Sequence, residues 1–510
     1  MSENVRARFA PSPTGYMHVG NFRTALYTYL FAHKQKGTFI LRIEDTDQKR
    51  YVQDALEKLI GILDWAGFKY SEGVFIENGT VIQRGDVGPY IQSERLDIYK
   101  KYAHQAIADG WAYHCFCTPE RLEAMRNEQT KAKQAPMYDR LCLQLSQEKQ
   151  EKKISAGESF VIRQKIDTEG STQYEDLVRG TVEIKNSLLD DQVLMKSDGY
   201  PTYNFANVID DHLMGITHVT RGEEYISSTP KYVQLYQNFG WEVPKFAHLP
   251  LLLNPDKSKL SKRQGDVAVE DYIAKGYLKE AIINFVMLLG WNPGKWSTQE
   301  IFSLDELAKV FDFAQIHKGG AVFDLKKLDW MNAEYIKKLS VDELYERALS
   351  LGVFENEFFA AVPAAKKEAS FMKRVLSVEH DRLVRLSDIG VQNPFFFSDE
   401  LSYDGKLLSW KENDAALTRA SLEQAEKLLG AFDAATWENL KIIEEKLLAE
   451  ADRRPDHSPE GSVTGKGDFL WPLRAALTGA ERSPSPAQVV WVLGKKESLM
   501  RLENALKKLL

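Results

Sequence analysis

The chain has 510 residues, of which 44% are hydrophobic and 27% are charged, a balance that excludes an intrinsically disordered chain. The length predicts about three to five domains. The formal net charge of −7 argues, taken alone, against a nucleic-acid partner, because phosphate binding usually needs a basic surface. However, residues 1–50 and 461–510 each contain 8 Lys and Arg against 4 Asp and Glu, so that question stays open.

The sequence also bears on the compartment. No apolar run approaches the ~20 residues of a membrane span, and the N-terminus has no secretory pattern. Three cysteines in a chain of this length do not make a disulfide scaffold. These features predict a cytoplasmic protein without a membrane partner.

The first 45 residues predict one βαβ unit. A strand over Arg6–Ala10 is followed by breakers, and a helix with an apolar stripe runs from Asn21. A continuous β-rich run, Thr38–Ile43, is typical of a buried parallel strand. Such a unit predicts a doubly wound sheet with ligands at the carboxyl ends of its strands, where Glu44 and Asp45 lie.

The rest of the chain changes character twice. Residues from about 100 to 195 resemble an insertion, with helices followed by short β-like pieces, and the sheet pattern is predicted to resume near Tyr200–Asp211 and His218–Arg221. Beyond about residue 330 the chain is predicted to be helical. Residues 452–468, which contain Pro, Gly and Ser, predict a linker between helical units.

Two motifs are suited to interaction with phosphate groups. His18 and Gly20 stand at the start of the first helix, where free N–H groups and a partial positive charge suit a triphosphate. Lys259, Lys262 and Arg263 lie in a Ser- and Gly-containing loop and could neutralise charge on a reacting phosphate. Each motif alone is more typical of a turn histidine or of a solvated basic loop, so the two motifs together are what point to function.

Together the two motifs resemble those of class I aminoacyl-tRNA synthetases. Ala10–Gly20 resembles their His-x-Gly-His region, with Asn21 in place of the second histidine, and Lys259–Arg263 resembles their K-M-S-K-S loop. Arg8–Gly15 and Arg42–Asp47 are similar to the glutamyl and glutaminyl subgroup, and the pattern is that of the bacterial glutamyl-tRNA synthetases. Further matching segments are Asp198–Asn207, Asp210–Glu224, Ser228–Pro230 and, more weakly, Phe469–Gly479.

The resemblance implies a fold and a domain order. It implies a Rossmann-like α/β catalytic domain with a doubly wound parallel sheet, an inserted α+β domain, a stem-contact region and an all-α anticodon-binding region. The expected bounds are 1–100 with 196–255 for the catalytic domain, 101–195 for the insertion that binds the tRNA acceptor end, 256–335 for the stem-contact region with its Lys-Leu-Ser-Lys-Arg loop, and 336–455 and 456–510 for two helical anticodon-binding domains.

The resemblance also implies the reaction and its residues. The expected activity is glutamate–tRNA ligation, in which ATP and L-glutamate, with Mg²⁺, form glutamyl adenylate before transfer to tRNA(Glu), by a protein expected to be a monomer. Arginine forks bind carboxylates, and a buried carboxylate suits an ammonium, but which arginine holds which glutamate carboxylate stays open. The residues implied for glutamate are Arg8, Ala10, Ser12, Glu44, Tyr203, Asn207 and Arg221; those for ATP are His18, Gly20, Asn21, Glu224, Lys259, Lys262 and Arg263, with His18, Lys259 and Lys262 expected to be catalytic.

All three cysteines lie in the insertion. Relatives that bind zinc there show Cys-x-Cys and then Tyr-x-x-x-Cys, sometimes with His two residues later. Here Cys115, Cys117, Tyr138 and Cys142 fit that pattern, but the later position is Gln144, a poor ligand. A structural zinc site and three reduced, partly buried thiols are both consistent with the sequence.

Three alternatives accompany this interpretation. A glutaminyl-tRNA synthetase usually carries β-barrel anticodon domains, whereas residues 336–510 are predicted to be helical. A short paralog that glutamylates a modified tRNA base lacks the anticodon module altogether. A catalytically silent tRNA-binding paralog would be favoured by loss of His18 or Lys262, and both are present. The sequence does not decide whether tRNA(Gln) is also charged.

Overall fold

The structure is a computed structural model that describes residues 4–50, 52–261, 267–294, 297–411, 414–453 and 466–509. The chain divides into two compact units. The first comprises Met1–Ile273 and Lys279–Leu328, and the second comprises Ala274–Leu278 and Asp329–Leu510. No helix in the described ranges combines the length and the apolar character needed to cross a bilayer.

The strands all belong to the first unit as far as the described residues show. In chain order they are β1 (Arg6–Phe9), β2 (Thr38–Leu41), β3 (Glu72–Glu77), β4 (Thr80–Arg84), β5 (Ala112–Cys115), β6 (Val161–Gln164), β7 (Ser171–Asp176), β8 (Gly180–Lys185), β9 (Val193–Met195), β10 (His218–Gly222), β11 (Lys245–Leu249), β12 (Leu252–Leu253) and β13 (Ala321–Val322).

Eight of these strands form one sheet in the order β4-β3-β2-β1-β10-β11-β7-β8. The six central strands pair in parallel, and an antiparallel hairpin closes each edge. A parallel sheet with helices between its strands is the Rossmann-like architecture predicted from the sequence, and that prediction is confirmed. Strands β5, β6 and β9 form a separate antiparallel sheet, and β12 pairs with β13.

Helices connect the strands of the first unit. They are α1 (Val19–Lys34), α2 (Ala55–Ala66), α3 (Leu96–Ala108), α4 (Pro119–Lys131), α5 (Gln147–Ser155), α6 (Tyr203–Leu213), α7 (Thr229–Asn238), α8 (Val269–Ala274), α9 (Lys279–Leu288) and α10 (Leu304–Val310), with α11 (Leu325–Ile336) crossing into the second unit. Helix α1 packs on β1 and β2, and its residues Phe22, Leu26 and Leu30 are fully buried.

The sequence prediction needs one correction here. Residues 200–211, where the sheet pattern was predicted to resume, form most of helix α6 instead. Phe205, Val208 and Ile209 are all buried, and their i, i+3, i+4 spacing is that of one helical face. The β-branched and aromatic content of the segment favoured a strand, but the spacing that decides burial is helical.

Two strands of the segment predicted as an insertion have a place in the main sheet. Strand β7 pairs in parallel with β11, and β8 pairs with β7. The three-stranded sheet and helices α4 and α5 form the rest of this segment. The bounds 101–195 for an acceptor-binding domain stay a prediction, but part of that span is built into the sheet.

The second unit is helical in the residues that the structure describes, as predicted. Its helices are α12 (Val341–Ser350), α13 (Glu357–Ala360), α14 (Ala369–Glu379), α15 (Ala415–Gly430), α16 (Ala434–Trp437), α17 (Leu440–Asp452), α18 (Lys466–Thr478) and α19 (Pro486–Lys507). Leu422, Leu447, Leu473 and Leu502 are buried where α15, α17, α18 and α19 pack together. Of the predicted linker 452–468, residues 454–465 lie outside the described residues, whereas Asp452 belongs to α17 and Lys466–Asp468 belong to α18.

Candidate active site

The carboxyl ends of β1, β2 and β10 lie side by side and form the base of a cleft. The chain continues from β2 so that the backbone N–H of Glu44 donates to the carbonyl of Pro11, at 3.0 Å. A cavity of about 510 Å³ opens there, and its wall includes Ser12, Glu44 and Tyr203. Three residues predicted for glutamate binding therefore share one cavity at the strand ends, where ligands bind in open α/β sheets.

Arg8 lies beneath this cleft in a network of buried charges. Its Nε donates to Asp211 Oδ1 at 2.9 Å. Arg42 donates to the same oxygen at 2.7 Å and, through its other terminal nitrogen, to Glu44 Oε1 at 2.9 Å. Asp211 and Arg42 thus connect the arginine predicted for a substrate carboxylate with the glutamate predicted for the substrate ammonium.

A second buried carboxylate extends the network. Asp210 Oδ1 accepts from Arg95 Nε at 2.7 Å, and its Oδ2 accepts from Gln92 Nε2 and from the Tyr99 hydroxyl, each at 2.8 Å. Arg42 Nε lies 3.8 Å from the same Asp210 oxygen. Three arginines therefore face three carboxylates, and the buried charges balance.

The network shifts the acidity of its members. Burial raises the pKa of Glu44, although the positive charges of Arg42 and Arg8 oppose that shift. Burial also acts to raise the pKa of Asp211, but Arg8 and Arg42 outweigh it, so the pKa of Asp211 is lowered. Asp211 is therefore ionised and balances the charge of Arg8. The ionised form of Glu44, by contrast, would be stabilised by an additional cation.

Arg221, at the end of β10, has quite different surroundings. Its Nη2 donates to Thr229 Oγ1 at 2.7 Å, and its Nε donates to His248 Nε2 at 3.2 Å. Its guanidinium carbon lies 4.7 to 5.3 Å from the ring centres of Tyr225, Tyr232 and Phe246. No carboxylate of the described residues lies within ion-pair distance of Arg221, although its side chain is buried. A buried cation held only by neutral groups attracts an anionic ligand.

The other residues predicted for glutamate take varied places. The Tyr203 ring lies 5.2 Å from that of Tyr225, and burial together with the charge of Glu44 raises the pKa of its hydroxyl. Asn207 is one turn further along α6, and its amide donates to the Tyr203 carbonyl at 2.5 Å rather than into the cavity. Ala10 follows β1 directly, and Ser12 is exposed at the cavity wall.

His18 caps helix α1. Its Nδ1 accepts the backbone N–H of Gly20 at 2.9 Å, so the ring proton is on Nε2, where it is a donor. A β-carbon on Gly20 would lie 3.2 Å from that Nδ1, so glycine keeps the imidazole seated on the helix end. Asn21, in the next position, is exposed. The partial positive charge at this end of the helix suits a phosphate.

The chain that follows the basic loop returns beside His18. Lys259 pairs with Leu253 and is exposed, whereas Lys262 and Arg263 lie outside the described residues. On the return, the Val19 N–H donates to the Val267 carbonyl at 2.8 Å, and the Val269 N–H donates to the Met17 carbonyl at 2.9 Å. The stretch containing Lys262 thus ends against the start of α1. Glu224, also predicted for ATP, is exposed just after β10.

The three cysteines form a cluster around Tyr138. Their sulfur atoms all lie within 4.8 Å of one another, and Cys117 Sγ is 3.5 Å from Cys142 Sγ. The Tyr138 hydroxyl lies 3.3 Å from Cys115 Sγ and 3.4 Å from Cys117 Sγ. Ligands on a tetrahedral zinc with Zn–S bonds of about 2.3 Å lie roughly 3.8 Å apart, so the spacing of this donor set is compatible with a zinc ion.

The thiols of the cluster differ in acidity. Burial raises the pKa of Cys117 to about 11, which its neighbouring cysteines reinforce. Burial also acts to raise the pKa of Cys115, but Tyr138 and Arg163 outweigh it and lower that pKa. Gln144 is exposed, and the sequence-based judgement that it is a poor ligand stays a prediction.

Several functional candidates were not identified from the sequence. Arg42, Asp210 and Asp211 lie in segments that resemble the family, but no role was predicted for them. The adjacent pair Asp210 and Asp211, directly after the apolar residues Val208 and Ile209, was the available signal, because two buried carboxylates need cationic partners. His248 follows Phe246 and Ala247 in a buried strand and looks like a core histidine in the sequence.

Comparison with known proteins places this geometry in a class. A model described as "tRNA synthetases class I (E and Q), catalytic domain" matches residues 4–330, and one described as "Anticodon binding domain" matches residues 343–506. The chain therefore belongs to the class I tRNA synthetases of the glutamyl and glutaminyl branch.

The relatives within that branch are glutamate–tRNA ligases. The enzyme of Clostridium botulinum strain Hall is 45% identical over 100% of this chain and 99% of its own length, and that of Clostridioides difficile is 44% identical over 98% of each. Among solved structures, a glutamate tRNA ligase from Elizabethkingia meningosepticum in complex with its amino acid is similar, with a TM-score of 0.86, 35% identity and full coverage of both chains.

Proposed function

We propose that this chain is a glutamate–tRNA ligase that activates L-glutamate with ATP and transfers the glutamyl group to the 3′-terminal adenosine of tRNA(Glu). The proposal rests mainly on the placement of two arginines and one glutamate, Arg8, Arg221 and Glu44, near the ends of neighbouring strands. A buried guanidinium binds a carboxylate, and a buried carboxylate binds an ammonium, so the cleft carries partners for the charged groups of glutamate. The glutamate–tRNA ligases that match the full chain support the same reaction.

Activation depends on charge placed near the ATP phosphates. His18 Nε2–H and the partial positive charge at the start of α1 bind the phosphates, and Gly20 lets them approach the backbone. Lys259, Lys262 and Arg263 stabilise the charge that develops as the glutamate carboxylate attacks the α-phosphate and pyrophosphate leaves. Glu224 and Asn21 border the nucleotide. When bound with ATP, Mg²⁺ would offset part of the charge of the phosphates.

Arg8 and Arg221 differ in their charged neighbours, which indicates different roles in binding. Arg8 is already matched by Asp211, and its pKa is raised because that charge outweighs burial. Arg221 has no carboxylate partner among the described residues, so it gains most from a bound one. We assign the larger part of carboxylate binding to Arg221 and a supporting part to Arg8. The amino acid is oriented by Ser12, Tyr203, Asn207 and the backbone at Ala10.

The transfer step needs tRNA. The adenylate is an activated acyl group, so the protein contributes mainly by positioning the terminal 2′-hydroxyl. The segment over 101–195 binds the acceptor end, residues 256–335 contact the stem, and the helical unit binds the anticodon region. The proposal is for a monomer acting in the cytoplasm, where its three thiols stay reduced.

The structure bears on the alternatives. A glutaminyl enzyme with β-barrel anticodon domains is disfavoured, because the described residues of the second unit contain helices and no strands. The short base-modifying paralog is disfavoured by the anticodon-binding match over residues 343–506. A silent paralog is disfavoured because His18 caps α1 in a phosphate-binding arrangement.

Aminoacylation with purified tRNAs tests the proposal. We expect charging of tRNA(Glu) with glutamate and not with glutamine, and glutamate-dependent ATP–pyrophosphate exchange close to background until tRNA is added. The same assay with tRNA(Gln) determines whether that tRNA is also charged. Charging with glutamine in preference to glutamate would contradict the proposed activity. Robust ATP–pyrophosphate exchange by the protein alone would contradict the expectation that activation depends on tRNA.

We also propose that Cys115, Cys117, Cys142 and Tyr138 hold a structural zinc ion. The ion would tie the end of β5 to the segment around Cys142 and contributes folding energy rather than chemistry. Protein purified without chelator should contain close to one zinc per chain, and Cys142→Ser should lower that content several-fold. Gln144→Ala, at an exposed position nearby, is the matched control and should keep the metal. Wild-type content well below one zinc per chain would contradict the site.

A further inference from the structure

Arg221 has a direct neighbour that the reaction scheme does not use. His248, on β11, is its register partner across the parallel strands β10 and β11. The His248 side chain is fully buried, and its Nε2 is 3.2 Å from Arg221 Nε and 3.1 Å from Thr229 Oγ1. Because a guanidinium only donates hydrogen bonds, Nε2 must be the acceptor of the Arg221 bond.

The other ring nitrogen of His248 meets a carboxylate. Asp176, the last residue of β7, places Oδ2 at 2.5 Å from His248 Nδ1 and at 3.0 Å from the His248 backbone N–H. Its Oδ1 accepts the N–H groups of Val178 at 2.9 Å and Arg179 at 2.8 Å. The carboxylate is therefore held on both oxygens, and its position is determined by the turn that follows β7.

This geometry selects one tautomer of His248. A proton on Nδ1 can be donated to Asp176, which leaves the lone pair of Nε2 facing Arg221. Burial and the charge of Arg221 lower the pKa of His248, although Asp176 opposes that shift, so the ring stays neutral. Burial acts to raise the pKa of Asp176, but the hydrogen bonds that it accepts from His248, Arg179 and Val178 lower it overall.

The arrangement leaves part of Arg221 available. Nε is bound by His248 and Nη2 by Thr229, whereas Nη1 has no hydrogen-bond partner in the described portion of the chain. The negative charge of Asp176 is separated from the guanidinium by the width of an imidazole ring. Arg221 is thus oriented without the direct ion pair that neutralises Arg8.

We propose that Asp176 and His248 are positioning residues that orient Arg221 through a fixed histidine tautomer, so that its Nη1 edge and its uncompensated charge receive a carboxylate of glutamate. The inference deepens the proposed function and rests on it. The pair acts on selection of the amino acid, not on ATP or on the transfer of the acyl group.

Asp176→Asn tests this directly. Asparagine can donate to Nδ1, which would move the ring proton to Nε2 and set a donor against the donors of Arg221. We expect the KM for L-glutamate in aminoacylation of tRNA(Glu) to rise about 10- to 100-fold, with the KM for ATP within about twofold of wild type. The preference for glutamate over glutamine should fall, because a displaced cation discriminates a carboxylate from an amide less well.

A second pair of variants guards against loss of folding. His248→Leu removes the hydrogen bonds of the imidazole to Arg221 and Asp176. His248→Gln retains a carbonyl acceptor that can face Arg221, so this variant should recover part of the affinity for glutamate that His248→Leu loses. His218→Gln is the matched control, because His218 lies on β10 at the end away from Arg221 and contacts the Phe31 ring at 4.9 Å. It should leave the KM for glutamate unchanged.

The outcomes separate the hypotheses. A purely structural role would reduce the active fraction, and hence kcat, without changing the KM for glutamate or the discrimination against glutamine. That result would overturn the inference, as would an unchanged KM for glutamate in both Asp176→Asn and His248→Leu. The proposed function would still stand if the unmodified protein charges tRNA(Glu) with glutamate. If wild-type protein does not charge glutamate, the proposed function fails and this inference fails with it.

Discussion

Replacing Lys262 by alanine should slow formation of glutamyl adenylate by about 100- to 1,000-fold, the range found when a preorganised group that stabilises transition-state charge is removed. The expectation follows from the position of Lys262 in a loop whose return, at Val267, is hydrogen-bonded to Val19 beside the His18 cap. The measurement is tRNA-dependent ATP–pyrophosphate exchange with glutamate. Binding of tRNA(Glu), measured by filter retention, should stay close to wild type.

Lys257→Ala is the control for this prediction. Lys257 is an exposed lysine of the same loop, and its backbone N–H bonds to the Asn254 carbonyl at 2.9 Å. The variant removes one positive charge from the loop but keeps Lys259, Lys262 and Arg263, so exchange should remain within a few-fold of wild type. Equal rates for Lys262→Ala and wild type would refute the role assigned to the loop.

Replacing Asp210 by alanine should destabilise the catalytic unit by about 3–5 kcal/mol, because it leaves Arg95 as a buried charge without its partner. Asp210 is completely buried and accepts hydrogen bonds from Arg95, Gln92 and Tyr99. The loss corresponds to a decrease of roughly 5–10 °C in the thermal midpoint of that unit. Scanning calorimetry of the full chain measures it.

Asp139→Ala is the matched comparison. Asp139 forms an ion pair with Arg121, and both side chains are about a third exposed. Exposed pairs of this kind contribute about 0–1 kcal/mol, so the midpoint should change by no more than about 2 °C. A similar midpoint for the Asp210 and Asp139 variants would show that the buried network does not support the fold as argued here.

The local parts of the fold were predictable from the sequence. The spacing around Phe22 and Leu26 indicates the helix, and the run from Thr38 indicates a buried strand; both predictions are confirmed, although the strand ends at Leu41 rather than Ile43. Glu44 could be identified as a candidate because side chains that follow a parallel strand lie at the ligand-binding edge. The helical character of the chain beyond about residue 330 was also predicted from the sequence and is confirmed in the described residues.

Long-range partnerships were not predictable in the same way. Arg8 and Asp211 are 203 residues apart, and Asp176 and His248 are 72 residues apart, so no local pattern connects them. The sheet pattern was predicted to resume near Tyr200–Asp211, whereas Tyr203–Leu213 form a helix with one buried face. The roles of the individual site residues stay predictions that the variants above test.

The pairing of β7 with β11 limits how far this enzyme can be reduced to modules. A fragment designed by excising residues 101–195 as a removable cassette would lose β7 and β8 and leave β11 as an open sheet edge. It would also take away Asp176, and with it the group that holds His248 in place. A minimal amino-acid-activating catalyst built from this chain must therefore retain Ser171–Lys185, even where recognition of the tRNA end is not required.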